Sequence, residues 1–128
     1  MGKRVLVVDD EPSVLRLVAG VLSREGYEVL VAPHPIHALE LAKAASPCFD
    51  CVVSDVIMPD MCGPELVRNI KRVCPNTAVV LMSAHMASEA LPEDAAFIGK
   101  PFRIADLCSI VKKVLPDSGS QPNSATAT

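Results

Sequence analysis

Apolar residues fall into short unbroken runs that alternate with amphipathic stretches along the whole chain. RVLVV, Arg4–Val8, is almost entirely apolar and fits a strand covered on both faces. DDEP ends the run, and Pro12 stands where a helix can open. Val14, Leu15, Val18, Val21 and Leu22 then share one face of a helix that stops at Gly26. YEVLVA, Tyr27–Ala32, predicts the second strand. From Pro35 to Ser46, Ile36, Leu39 and Ala42 or Lys43 recur at helical spacing, and Pro47 ends that helix.

Residues Asp50–Ser54 predict a third strand, running up to Asp55. After the loop MPDMCGP, Leu66, Val67, Ile70, Val73 and Cys74 repeat the apolar face of the first helix, and Pro75 and Asn76 close it. Thr77–Ser83 reads as the fourth strand and Ala95–Gly99 as a weaker fifth. Ile104, Leu107, Cys108, Val111 and Leu115 mark the last helix. Only AHMASEAL, before Pro92, is left for a short helix between the fourth and fifth strands. This alternation predicts an α/β domain: a doubly wound parallel sheet with helices on both faces. From Asp117, DSGSQPNSATAT is small, polar and aperiodic, and reads as a tail or linker remnant, so the domain is expected over residues 1–116.

Composition narrows the function. The 128 residues suffice for one core, half of them are hydrophobic, and no apolar run is long enough to span a bilayer. The apolar run at Val5–Val8 is too short for a signal sequence, so a cytoplasmic protein is expected. A net charge of −3, no Trp and one Tyr give neither a basic footprint nor a stacking platform for nucleic acid. Five cysteines, Cys48, Cys51, Cys62, Cys74 and Cys108, are an odd number for a disulfide framework and are expected to be reduced, small, buried or half-buried hydrophobes. Cys48-x-x-Cys51 lacks a second ligand pair for zinc, and Cys51 enters a strand, where a redox pair would open a helix.

In a doubly wound parallel sheet, the residues that follow the strands meet at one rim, where such folds bind ligands. Asp9 and Asp10 follow the first strand, Asp55 and Ser83 end the third and fourth, and Lys100 follows the fifth. Taken singly, each has an ordinary reading: a solvated turn or helix cap for the aspartates, a strand end for Ser83, a surface lysine for Lys100. Taken together their chemistry is complementary. Close carboxylates raise one another's pKa, a divalent cation relieves that conflict, and an oxygen-rich site suits Mg²⁺. A lysine and a hydroxyl complete a pocket for a tetrahedral anion.

VLVVDDEP, the Asp55-x-x-Met58-Pro59 loop, the Ser83–Ala84 pair and GKPF with Lys100-Pro101-Phe102 resemble the receiver domain of two-component response regulators, over residues 3 to about 116. The resemblance implies a flavodoxin-like five-stranded sheet in the order 2-1-3-4-5. It also implies that Asp55 accepts a phosphoryl group from a phosphohistidine on a sensor histidine kinase or phosphotransfer protein. Asp10, Asp55 and the backbone carbonyl of Ile57 would ligate Mg²⁺ (or Mn²⁺), with Asp9 acting through water. Lys100 would pair first with Asp55 and then with the phosphoryl oxygens. Ser83 and the backbone N–H of Ala84 would bind the phosphoryl group, and the Lys100–Pro101 bond would be cis. Ser83 and Phe97 would relay the switch. Phe97, equally readable as a permanently buried strand residue, lacks the hydroxyl that favours an outward rotamer, so the relay is expected to be weaker.

Two departures stand out. The span from Ser83 to Lys100 is shorter than the family's by more than a helical turn of about 3.6 residues, which shortens the fourth helix and argues against the usual dimer. Ile57 and His85 stand two positions after the acceptor and the hydroxyl. A bulky apolar Ile57 there is expected to hinder an attacking water, while His85 is also readable as a plain loop residue. The chain is expected to be a switch and not a metabolic enzyme, catalysing only its own phosphorylation and dephosphorylation. No DNA-binding stretch follows residue 116, so output is expected to run through protein contacts. The alternatives are a pseudo-receiver that binds partners without phosphorylation and a haloacid-dehalogenase-type phosphatase. The phosphatase needs D-x-D-x-T after the first strand, where this chain has DDEP.

Overall fold

The computed structural model describes residues 2–84 and 94–115. The short helix expected near residues 84–91, His85, and the tail from residue 117 lie outside the described residues. Nine elements follow in order: β1 (Arg4–Val8), α1 (Pro12–Arg24), β2 (Glu28–Ala32), α2 (Pro35–Ala44), β3 (Cys51–Asp55), α3 (Gly63–Val73), β4 (Ala78–Ser83), β5 (Ala95–Gly99) and α4 (Ile104–Val114). The five strands form one parallel sheet in the order β2-β1-β3-β4-β5.

The alternation of side chains along each strand divides the core between the two faces of the sheet. Val5 and Val7 of β1, with Val53, Val80 and Met82, pack beneath α1 and α4 through Val18, Leu22, Leu107 and Val111. Leu6, Val8 and Val52 point the other way, onto Ala38 and Ala42 of α2 and Leu66 and Ile70 of α3. Continuous apolar runs in β1, β3 and β4 are therefore what a sheet covered on both faces requires. The edge strand β2 is the exception, with Leu30 and Val31 partly open to solvent.

Turn chemistry sets the helix ends. Gly26 has φ 97° and closes α1 with paired hydrogen bonds, its N–H donating to the Ser23 carbonyl and that of Tyr27 to the Leu22 carbonyl. That left-handed position follows the helix end where glycine is favoured. α3 begins at Gly63, three residues before the first position of its apolar face, because Pro64 lies in the first turn. Among the described residues no helix is long and apolar enough to cross a membrane.

The cysteines depart from the sequence expectation. Cys48 and Cys74 are joined in a disulfide, with Cα atoms 6.0 Å apart, while Cys51, Cys62 and Cys108 are free. The cause is topological. β3 and β4 are neighbours with Cys51 opposite Ala78, so the segments leading into the two strands run side by side. Nothing in an odd count of cysteines spaced 26 residues apart reveals that adjacency.

Candidate functional site

The C-terminal ends of β1, β3 and β4 and the residue after β5 build one acidic pocket. Asp9 follows β1 and is completely buried. Its Oδ1 accepts from the backbone N–H of Glu11 at 2.9 Å, closing the turn into α1, and its Oδ2 accepts from Lys100 Nζ at 2.9 Å. Asp10, next in sequence, is exposed at the mouth. Asp55 is the last residue of β3, in register with Met82, and its side chain is 13% exposed. Carboxylate oxygens of Asp9, Asp10 and Asp55 all lie within 4.8 Å of one another.

Among the described residues, one ammonium faces these three carboxylates. Lys100 Nζ is 3.4 Å from Asp55 Oδ1, so the expected pairing with Asp55 is present, and it is shared with Asp9, the nearer partner at 2.9 Å. Burial pulls the Lys100 pKa down, but the hydrogen bond to Asp9 and the charges of Asp55 and Asp9 outweigh it and hold the pKa above its usual value. Asp55 moves in the unfavourable direction: burial, helped by the charge of Asp9, raises its carboxyl above the usual range against the opposing pull of Lys100. Three carboxylates set against one ammonium give the pocket more acidic than basic groups. Its donors are all oxygens, and a hard divalent cation such as Mg²⁺ fits that set.

Backbone bonds hold the rim together. The Lys100 N–H donates to the Ser83 carbonyl at 2.7 Å, continuing the pairing of Ser83 with Gly99. Ser83 is buried beside the pocket, Ala84 follows it at the surface, and the Lys100–Pro101 bond is cis. The Val56 N–H donates to the Met82 carbonyl, and the Gly63 N–H to the Val56 carbonyl at 2.7 Å, so the loop after Asp55 is closed at both ends. Within it Met58 is buried, Asp60 adopts φ 74°, and Ile57 is 65% exposed.

Phe97 lies in β5 opposite Leu81 and is half-buried against Val56, Val67, Val79 and Leu81. The ring is thus neither fully enclosed nor solvated, and it sits in the strand that leads to Lys100.

Sequence reasoning missed Gly63. A Cβ added there would lie 2.3 Å from the Asp55 carbonyl oxygen and 3.0 Å from the Val56 Cα, so α3 starts in direct contact with the backbone of Asp55. The signal was a glycine before a proline at a helix start, which reads as an ordinary cap.

Comparison with known proteins agrees with this geometry. A sequence model described as the response regulator receiver domain matches residues 5–112. The chain is 37% identical over 117 residues to the sensor kinase CckA of Brucella abortus, an alignment that covers 87% of this chain but 12% of that protein's length. It is 34% identical over 120 residues to the chemotaxis protein CheY of Thermotoga maritima, covering 89% of this chain and 98% of that one. The crystal structure of a CheY-like receiver domain protein from Methanospirillum hungatei superposes with a TM-score of 0.83 at 29% identity, covering 90% of this chain and 94% of that one. A five-stranded parallel sheet in the order 2-1-3-4-5, carrying this acidic pocket and matched by that model over most of its length, belongs to the response regulator receiver domain family of two-component systems.

Proposed function

We propose that residues 1–116 accept a phosphoryl group on Asp55 from a phosphohistidine of a sensor histidine kinase or phosphotransfer protein. The observation that carries this reading is the position of Asp55: a partly buried carboxylate at a strand end, within reach of Lys100 and of two more carboxylates. A carboxylate oxygen of Asp55 attacks phosphorus, the new O–P bond forms as the P–N bond breaks, and the imidazole nitrogen keeps the electron pair.

Phosphoryl transfer of this kind depends on positioning and charge neutralisation more than on proton chemistry. Lys100, held by Asp9, faces the incoming phosphoryl oxygens, and Ser83 with the Ala84 N–H binds them after transfer. Asp10, Asp55 and the Ile57 carbonyl would hold Mg²⁺ or Mn²⁺, and Asp9 would support that site from behind it. When bound, the cation neutralises charge at the transferred group. The new dianion draws Ser83 toward the pocket, and the half-buried Phe97 follows as a weaker relay, repacking the β4–β5 face for a partner protein. Output runs through such protein contacts, in the cytoplasm and without nucleic acid or membrane, and residues 117–128 act as a tail or linker.

Phosphoramidate, a small donor with a P–N bond, tests the reading. With Mg²⁺ it should add one phosphoryl group to the chain and none to Asp55→Asn. Folded, metal-bound protein that takes up no phosphoryl group would support a pseudo-receiver instead. Multiple turnover of a phosphate monoester would support the phosphatase.

A further inference from the structure

The disulfide lies far from the acidic pocket and encloses the segment that carries it. Cys48 sits in the loop between α2 and β3, and Cys74 caps the C-terminus of α3. The covalent ring they close contains β3, Asp55, the loop after it and all of α3. Because the sheet is parallel, the bond is at the strand-start edge, opposite the rim where Asp55 lies. α3 spans the distance, from Gly63 against the Asp55 carbonyl to Cys74, whose N–H donates to the Ile70 carbonyl at 2.7 Å.

The two cysteines are unequally exposed. Cys48 is exposed, whereas Cys74 is 2% exposed. Cys51, three residues from Cys48, is buried in β3, and burial with the nearby charge of Asp50 pushes its thiol up to about 12. It therefore stays protonated and does not compete as a nucleophile. A bond between one exposed and one buried cysteine favours approach of small reagents from the exposed residue's side. Cytoplasmic disulfides are mostly transient and redox-sensing.

We propose that Cys48 and Cys74 are a reversible redox modification site that exchanges with a low-molecular-weight thiol–disulfide couple and, when oxidised, ties the end of α3 to the start of β3. In the forward direction the Cys48 thiolate attacks one sulfur of the small disulfide, and the first small thiolate leaves. The Cys74 thiolate then attacks Cys48 Sγ and displaces the second. Two protein thiols are oxidised, and one small disulfide is reduced to two thiols. In the reverse direction a small thiolate attacks the exposed Cys48 Sγ and Cys74 leaves; a second thiolate then frees Cys48. This goes beyond the phosphoacceptor reading and stands without it, since no pocket residue takes part.

The test equilibrates the full chain in buffers of oxidised and reduced glutathione, quenches with acid and alkylation, and reads intact mass and peptide maps. The expected result is loss of two hydrogens under oxidising conditions, mapped to Cys48–Cys74 and reversed by reduced glutathione without unfolding. In a Cys62→Ser background, Cys74→Ser should gain a glutathione at position 48, while Cys48→Ser should leave position 74 unmodified. Amides of α3 should exchange roughly tenfold faster in the reduced form, as expected when a local unit opens more readily. The proposal is overturned if the two thiols stay free, if Cys48 pairs with Cys51, if folded protein resists reduction, or if Cys74 is modified as readily as Cys48. Unchanged exchange in α3 would overturn the tie between the helix and β3.

Discussion

Lys100 donates to Asp9 across 2.9 Å and so is anchored by a carboxylate that never reaches solvent. Asp9 is itself fixed by the Glu11 N–H, which leaves the ammonium held beside Asp55 without being committed to it. On the proposed reading, a lysine that would meet a phosphoryl group at Asp55 is thus positioned in advance and would need little reorganisation.

Removing that ammonium leaves three carboxylates facing one another. Lys100→Met is expected to lower stability by about 1.5–3 kcal/mol, the range for losing a hydrogen bond to a charged group. Added Mg²⁺ should recover part of the loss. Urea titrations with and without the cation check both, and an unchanged midpoint would show that Lys100 does not balance this charge.

Asp55 has a raised carboxyl pKa, chiefly from burial and then from Asp9 against the pull of Lys100. A folded-state pKa above the unfolded value gives stability that is complete below the unfolded pKa and lost as pH rises through the folded one. Once ionised, Asp55 therefore favours folding less than its protonated form does. Without metal, Asp55→Asn should melt a few degrees higher than the parent chain at pH 7, and the gap should close on acidification. Mg²⁺ should stabilise the parent more than the variant. A variant that melts lower at pH 7 would contradict this electrostatic account.

Gly63→Ala inserts a methyl group 2.3 Å from the Asp55 carbonyl oxygen, with backbone on both sides of the contact. Overpacking against backbone costs about 1–3 kcal/mol. The start of α3 should shift away from β3, slowing phosphorylation as well as lowering the melting temperature. Equal phosphorylation rates in parent and variant would show that this contact does not position the acceptor.

Ile57 stands at the rim, 65% exposed, two residues after the acceptor. Its bulk should shield the aspartyl phosphate from water, giving a lifetime well beyond seconds. Ile57→Asn, smaller and able to bind water, should shorten it several-fold. Following the phosphorylated mass over time decides the matter, and a half-life of seconds in the parent chain would refute the shielding role.

How far the sequence carried depends on the kind of signal. Asp9, Asp55, Ser83 and Lys100 were legible because each marks a strand end, and a parallel topology sends all strand ends to one rim. The apolar runs of β1 and β4 were legible for the same reason, being buried on both faces. The preference of Lys100 for Asp9 was not, since tenths of an ångström between two carboxylates leave no trace in residue type. Nor was the Cys48–Cys74 bond, which depends on the register of β3 against β4. Gly63 fell within the loop MPDMCGP, and only the closeness of Asp55 gives it another meaning.

The central claim is that Asp55 itself carries the phosphoryl group. The chain would be incubated with acetyl phosphate and Mg²⁺, reduced with borohydride, which converts an aspartyl phosphate to homoserine, and mapped by mass spectrometry. The account predicts homoserine at position 55, absent without Mg²⁺ and from Asp55→Asn. Homoserine at another aspartate, or none in folded and metal-bound protein, would contradict it.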